Sequence, residues 1–131
     1  MKKCLEAKYI SNADYVLLDR GFYNQLFWST MYETSNRKYF NFIVPFMEEF
    51  AEMYNVLPNW LYIIDVDVEE SIKRRIKSGE PVTFSKKDFL TEYREKFKIF
   101  SENIKSKLYI DTTSLSIEQV ADIVFKRIIT L

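Results

Sequence analysis

A chain of 131 residues, 47% of them hydrophobic, has the length of one ordinary domain and enough apolar side chain to bury a core. Its 19 basic side chains balance 19 acidic ones, so nothing in the overall charge provides the broad basic face that non-specific nucleic-acid binding draws upon. With no histidine and with Cys4 as the only cysteine, imidazole bases, Ser-His triads, the usual zinc ligand sets and an intrachain disulfide are excluded together.

Any chemistry must therefore use carboxylates, arginines and lysines. That vocabulary suits phosphoryl transfer, where positioning and charge neutralisation supply most of the catalysis. Lys2 and Lys3 are followed by polar Glu6 and Lys8 rather than an apolar signal core, and no segment approaches the roughly 18 uninterrupted apolar residues of a membrane helix. The expectation is one soluble domain over residues 1–131, cytoplasmic, with neither nucleic acid nor membrane as a partner.

In chain order, Tyr15 to Leu18 reads as a first strand and is followed directly by Asp19-Arg20-Gly21. Gly21 opens a helix running towards Tyr32. Asn36 is placed to cap the next helix, in which Phe40, Ile43, Met47 and Phe50 share a face, and Pro45 must either kink it or mark its true first turn. Leu61 to Ile64 is a second strand ending on Asp65. Val66 to Lys77 forms a short helix closed by Ser78-Gly79, where glycine supplies the left-handed conformation of a helix end. Ser85 has the character of an N-cap for a lysine-rich helix reaching about Ile104. Leu108 to Ile110 is a third strand, again ending on an aspartate, Asp111. Ser116 with Gln119 resembles a capping box, opening a helix whose Ile117, Val120, Ile123, Val124 and Ile128 form an apolar stripe suited to packing on a sheet. Strands alternating with helices predict an α/β fold with a parallel sheet of about three strands flanked by helices.

In a parallel sheet, ligands gather outside the carboxyl ends of the strands, so Asp19, Asp65 and Asp111 should point toward one rim. Asp19-Arg20 combines a magnesium or hydroxyl partner with a guanidinium whose fork suits two phosphate oxygens. The plainer alternative has Asp19 capping the following helix and Arg20 making a surface ion pair. Phe22, Tyr23, Phe27, Trp28 and Tyr32 could stack on a nucleobase or simply pack, with Tyr23 and Phe27 on one face and Trp28 beside Asn24. Glu69, Glu70, Lys73, Arg74, Arg75 and Lys77 could bring cations over a polyphosphate, or form an ordinary solvated helix laced by Glu70-Arg74 and Glu69-Lys73 pairs.

Together these pieces resemble the P-loop nucleoside and nucleotide kinases, in particular the thymidylate-kinase-like proteins and their predicted-kinase relatives. Tyr15-Val16-Leu17-Leu18-Asp19-Arg20-Gly21-Phe22-Tyr23-Asn24 looks like the family's strand ending in Asp-Arg with the helix of the acceptor pocket. The stretch from Leu61 to Arg74 is similar to the next strand and the start of the lid. Tyr109-Ile110-Asp111-Thr112-Thr113 with Ser116 to Val120 looks like the closing strand, the adenine-side loop and the terminal helix. The resemblance implies ATP-dependent phosphoryl transfer, with magnesium, to a small phosphate-bearing or hydroxyl-bearing acceptor. Under it, Arg20 binds the acceptor's phosphate, and Asp19 organises magnesium or accepts the acceptor's proton. Tyr23, Asn24 and Trp28 line the acceptor pocket, Arg74 and Lys77 reach the donor nucleotide, and Thr112 lies near adenine. Gly21, Ser29 and Ser78 depart from the thymidylate-kinase pattern, where an aromatic, a glutamine and a second lid arginine are usual.

The two glycines, Gly21 and Gly79, cannot complete Gly-x-x-x-x-Gly-Lys-Ser/Thr, so the 131 residues contain no phosphate-binding loop. In the family that loop's strand is central and separates the two that resemble Tyr15–Leu18 and Leu61–Ile64. Either those two strands pair directly, or a second copy or an amino-terminal partner segment covers the edge, or the chain is the carboxyl-terminal portion of a longer kinase-like protein. A rival expectation is a non-catalytic kinase-fold remnant acting in oligomerisation or small-ligand binding. A third is a magnesium-dependent hydrolase using Asp19, Asp65 and Asp111, which requires the three carboxylates to converge.

Overall fold

In the computed structural model, which describes residues 14–30 and 37–130, the element order is α1 (Phe22–Thr30), α2 (Arg37–Met53), β1 (Leu61–Asp65), α3 (Val68–Lys77), α4 (Phe84–Ser101), β2 (Lys107–Asp111) and α5 (Ile117–Thr130). The architecture is α/β: β1 and β2 pair in parallel, in a register that sets Leu61 opposite Lys107 and Asp65 opposite Asp111. The ladder is extended by one bond beyond the strands, from the Thr112 amide to the Asp65 carbonyl at 2.8 Å. Parallel strands require a long crossover, here supplied by α3 and α4.

The expected first strand is not present. Tyr15 to Leu18 makes no strand among the described residues, whose sheet has two strands rather than three. The physical reason is that a strand exists only through its ladder, and no described residue pairs in a ladder with Tyr15 to Leu18. Tyr15, Val16 and Leu17 are instead exposed, and Asp19 and Arg20 form a turn in which Arg20 takes φ 56°.

The chain divides into two compact units, one of Met1–Asn59 with Glu95–Lys105 and the other of Trp60–Arg94 with Ser106–Leu131. The core of the first is aromatic. Phe27, Phe40 and Phe100 are wholly buried, with Phe27 edge-on to Phe97 at 4.9 Å and to Phe100 at 5.3 Å, and Phe40 edge-on to Phe100 at 5.6 Å. Such offset and T-shaped pairs are favourable beyond the area they bury. Tyr23 and Phe27 share the buried face of α1 with Thr30, as their spacing requires, whereas Trp28 is exposed.

Helix α2 is rotated from its expected orientation. Its buried positions are Phe40, Val44 and Ala51, with Ile43 and Met47 half-buried and Phe50 exposed. Pro45 lies inside the helix, neither at its first turn nor at its end. It can do so because Pro45 and Asn41, whose carbonyl loses its helical partner, both stand on the exposed side. The expected cap Asn36 and the helix end Tyr32 lie outside the described residues.

In the second unit, Ile63 and Ile110 are the buried strand residues. The α3 helix starts two residues later than expected, because Asp67 caps it by accepting from the Glu69 and Glu70 amides. Its other end is as read: Gly79 at φ 83° lets the Glu80 amide turn back to the Arg75 carbonyl at 2.9 Å. Ser85 is not the cap of α4. The Lys86 and Lys87 amides bond the Thr83 carbonyl, and Ser85 sits within the first turn with its hydroxyl against that of Thr83. The capping box of α5 is present in both directions, Ser116 amide to Gln119 Oε1 at 2.8 Å and Gln119 amide to Ser116 Oγ at 3.2 Å. The α5 stripe is only partly used: Val120, Val124 and Ile128 are half-buried, while Ile117 and Ile123 are exposed.

Candidate functional site at the carboxyl edge of the strands

Because both strands end on aspartate and run in parallel, their last residues and the loops after them gather at one edge. Side chains alternate along a strand, so Ile63 and Asp65 share a face with Tyr109 and Asp111. The tyrosine hydroxyl donates to Asp65 Oδ2. Arg94, from α4, closes the same carboxylate. Its Nε donates to both Asp65 oxygens at 3.0 Å, and Nη2 stands 2.9 Å from Oδ2. Nη1 lies a further 3.9 Å from Asp67 Oδ1. The hydrogen bond to Asp65 raises the Arg94 pKa above its ordinary value, with the charges of Asp65, Asp67 and Asp111 acting in the same direction and partial burial opposing them.

A second set of bonds ties the loop after β1 to the loop after β2. The Asp67 amide donates to Thr113 Oγ1 at 2.9 Å, and that hydroxyl donates to Asp111 Oδ1 at 2.6 Å. The Thr113 amide reaches the same oxygen at 3.0 Å, so Asp111 shapes its own following turn. Thr112 is buried and gives its hydroxyl to the Asp65 carbonyl at 2.9 Å. Arg74 then lies across this loop from α3, with Nη2 donating to the Thr112 carbonyl at 2.8 Å and Nε to Glu70 Oε1 at 3.0 Å. The edge is a cross-braced lattice of carboxylates, hydroxyls and guanidinium groups.

Of the residues expected to meet a donor nucleotide, Arg74 and Thr112 are in contact, through a guanidinium on a backbone carbonyl. Lys77 ends α3 and is exposed. The Glu70-Arg74 pair forms as its spacing suggests, whereas Glu69 pairs with Lys87. That bond raises the Lys87 pKa. The residues expected at an acceptor site belong to the other unit. Asp19 and Arg20 are exposed, and Arg20 holds the left-handed backbone conformation that non-glycine residues adopt at a cost of about 1 kcal/mol. Tyr23 is buried, and its hydroxyl donates to Glu48 Oε1 at 2.8 Å. Burial, then that hydrogen bond and charge, push its pKa well above the ordinary phenol value. Asn24 is half-buried and Trp28 is exposed.

Arg94 and Tyr109, which do most to fix Asp65, carry no local signal. Arg94 is 29 residues from its partner, in a helix read from the sequence only as lysine-rich. Tyr109 could have been found from strand alternation once the register of β1 and β2 was known, but not before.

Among the described residues there is no group of three or more His, Cys, Asp and Glu side chains that could hold a metal ion. Asp65 is engaged by Arg94 and Tyr109, and Asp111 by Thr113. The backbone cradle that would hold a polyphosphate is not formed by these 131 residues. No described helix is long and apolar enough to cross a membrane. No family model matches the chain, and no solved structure matches it.

Proposed function

We propose that the chain provides the acceptor-and-lid part of a kinase-like phosphotransferase of the P-loop nucleoside and nucleotide kinase type. The acceptor would be a small phosphate-bearing or hydroxyl-bearing molecule. The observation that carries this reading is the Arg74 bond to the Thr112 carbonyl. It joins the helix that resembles a lid to the loop that resembles the adenine-side loop, at the carboxyl edge of a parallel strand pair, where α/β proteins place their ligands. In this reading Arg20 binds the acceptor and Arg74 faces the donor, while the phosphate-binding loop is supplied from outside these 131 residues.

The test is phosphoryl transfer from labelled ATP to a panel of nucleosides, nucleotides and sugar alcohols, run on the protein in its natural sequence context. The expected outcome is transfer that Arg20→Ala abolishes with ATP binding retained, and that Arg74→Ala weakens through ATP binding. Equal loss of acceptor use and ATP binding in Arg20→Ala, or the absence of both activities from the natural protein, would sink the proposal.

One observation favours a second reading. Asp65, the best-placed carboxylate of the edge, is saturated by Arg94 and Tyr109 and is not free to act as a base or ligand. In this reading the chain is a non-catalytic kinase-fold remnant that acts in oligomerisation or small-ligand binding and keeps the lattice as part of its fold. Titration calorimetry with ATP and magnesium on the natural protein separates the two, because the remnant binds neither.

A further inference from the structure

Helix α2 has one buried face, carrying Phe40, Val44 and Ala51, and turns a second apolar stripe to solvent. Phe42, Phe46 and Phe50 follow each other at intervals of four, with Met53 beside them and Tyr54 four residues on, in the turn after the helix; Phe42 is 64% exposed, Phe46 54% and Met53 77%. The rings are already ordered against one another, Phe42 stacked on Phe46 at 5.9 Å and 14°, and Phe50 against Tyr54 at 4.9 Å. Four residues overshoot one helical turn by about 40°, so these side chains form a continuous slanting ridge of the kind that packs against another helix. Scattered apolar residues on a surface need no explanation, but a contiguous aromatic ridge does.

The Phe42–Phe50 part of the ridge is self-complementary. Phe42 and Phe50 are equidistant from Phe46, so an antiparallel second copy with Phe46 on the two-fold axis sets Phe46 against Phe46 and Phe42 against Phe50. The charges agree with that direction. The amino-terminal turn of α2 carries Lys38 beside Arg37, which is paired with Glu102, and its carboxyl-terminal half carries Glu49 and Glu52 beside Glu48, which accepts from Tyr23. Lys38 lies about 12 Å along the axis from Phe46 on one side and Glu52 about 9 Å on the other, so antiparallel pairing brings each Lys38 within about 3 Å of the partner's Glu52 along the axis. Parallel pairing would bring like charges together. If each of the five ridge side chains removes about 100 Å² from water, two copies bury about 1,000 Å², the lower bound of a specific interface.

We infer that the chain forms a two-fold symmetric dimer through the Phe42–Phe50 ridge of α2, antiparallel, with Phe46 at the axis. This stands independently of the kinase-like reading, since it uses neither the strand edge nor any site residue.

Sedimentation equilibrium on the intact chain across the micromolar range should show reversible dimerisation. Phe46→Glu, at an exposed position, should leave the far-UV circular dichroism unchanged and weaken association by about 100-fold. In a Cys4→Ser background, Phe46→Cys should crosslink to itself on mild oxidation. Phe42→Cys should crosslink to Phe50→Cys in a mixture rather than to itself. A monomer at all concentrations, a dimer unaffected by Phe46→Glu, self-crosslinking through Phe42→Cys, or crosslinking through Leu17→Cys in place of Phe46→Cys would each overturn the inference.

Discussion

Replacing Arg94 with methionine keeps the aliphatic stem and removes the guanidinium that closes Asp65. The side chain of Arg94 is 26% exposed and that of Asp65 13%, which puts the pair between two regimes. Exposed ion pairs contribute about 0 to 1 kcal/mol, while removing one partner of a buried pair costs about 3 to 5 kcal/mol because the remaining charge is stranded. Asp65 would keep the Tyr109 hydroxyl, so the cost should fall near 2 kcal/mol, and the coupling with Asp65→Asn in a double-mutant cycle near 1 to 1.5 kcal/mol. Urea unfolding, followed by the fluorescence of Trp60 in a Trp28→Phe background, should show the Arg94→Met midpoint lowered by about 1 M. The coupling should survive about 1 M salt, which shortens the screening length to about 3 Å and should erase any contribution from the exposed Arg37–Glu102 pair. A coupling below about 0.5 kcal/mol would show that the lattice at the strand ends is a surface decoration and not a brace.

Phe27→Ala should cost about 3 to 5 kcal/mol, since the ring is wholly buried among Phe97 and Phe100, whereas Phe84→Ala at an exposed position should fall within about 0.5 kcal/mol of the wild type; denaturant titration of both variants checks this. Tyr23 gives a pH dependence whose sign follows from its raised pKa. The fold holds the neutral phenol, so this stabilisation is complete below the unfolded value of about 10 and is lost as pH rises through the folded one. Tyr23→Phe should therefore flatten the alkaline decline in melting temperature, and an unchanged alkaline slope would count against the burial argument. Ser116→Ala should destabilise by about 1 kcal/mol and speed amide exchange in the first turn of α5, with little change at β1.

The local features were legible in the amino-acid order. Gly79 had to end a helix, because only a residue without a Cβ takes φ 83° cheaply, and Ser116 with Gln119 had to begin one. The runs ending on Asp65 and Asp111 announced two strands, and the pairing of Glu70 with Arg74 followed from helical spacing. The two helix ends and the ion pair depend on residues within about one turn of each other, so the sequence determines them before any fold exists, whereas the two strands needed each other to form. Tyr15 to Leu18 had the same apolar run as a strand and did not become one, since a run supplies only half of a ladder and the other half must be brought to it by the rest of the chain. The α2 face, read from spacing alone, was misplaced because both of its sides are aromatic, and only the packing of Phe40 against Phe100 selects which is buried. Arg94 closing Asp65 across 29 residues, Tyr109 beside it, and Thr113 linking Asp67 to Asp111 were decided by the tertiary structure, because charge partners distant in sequence meet only after the parallel register has placed both strand ends on one edge.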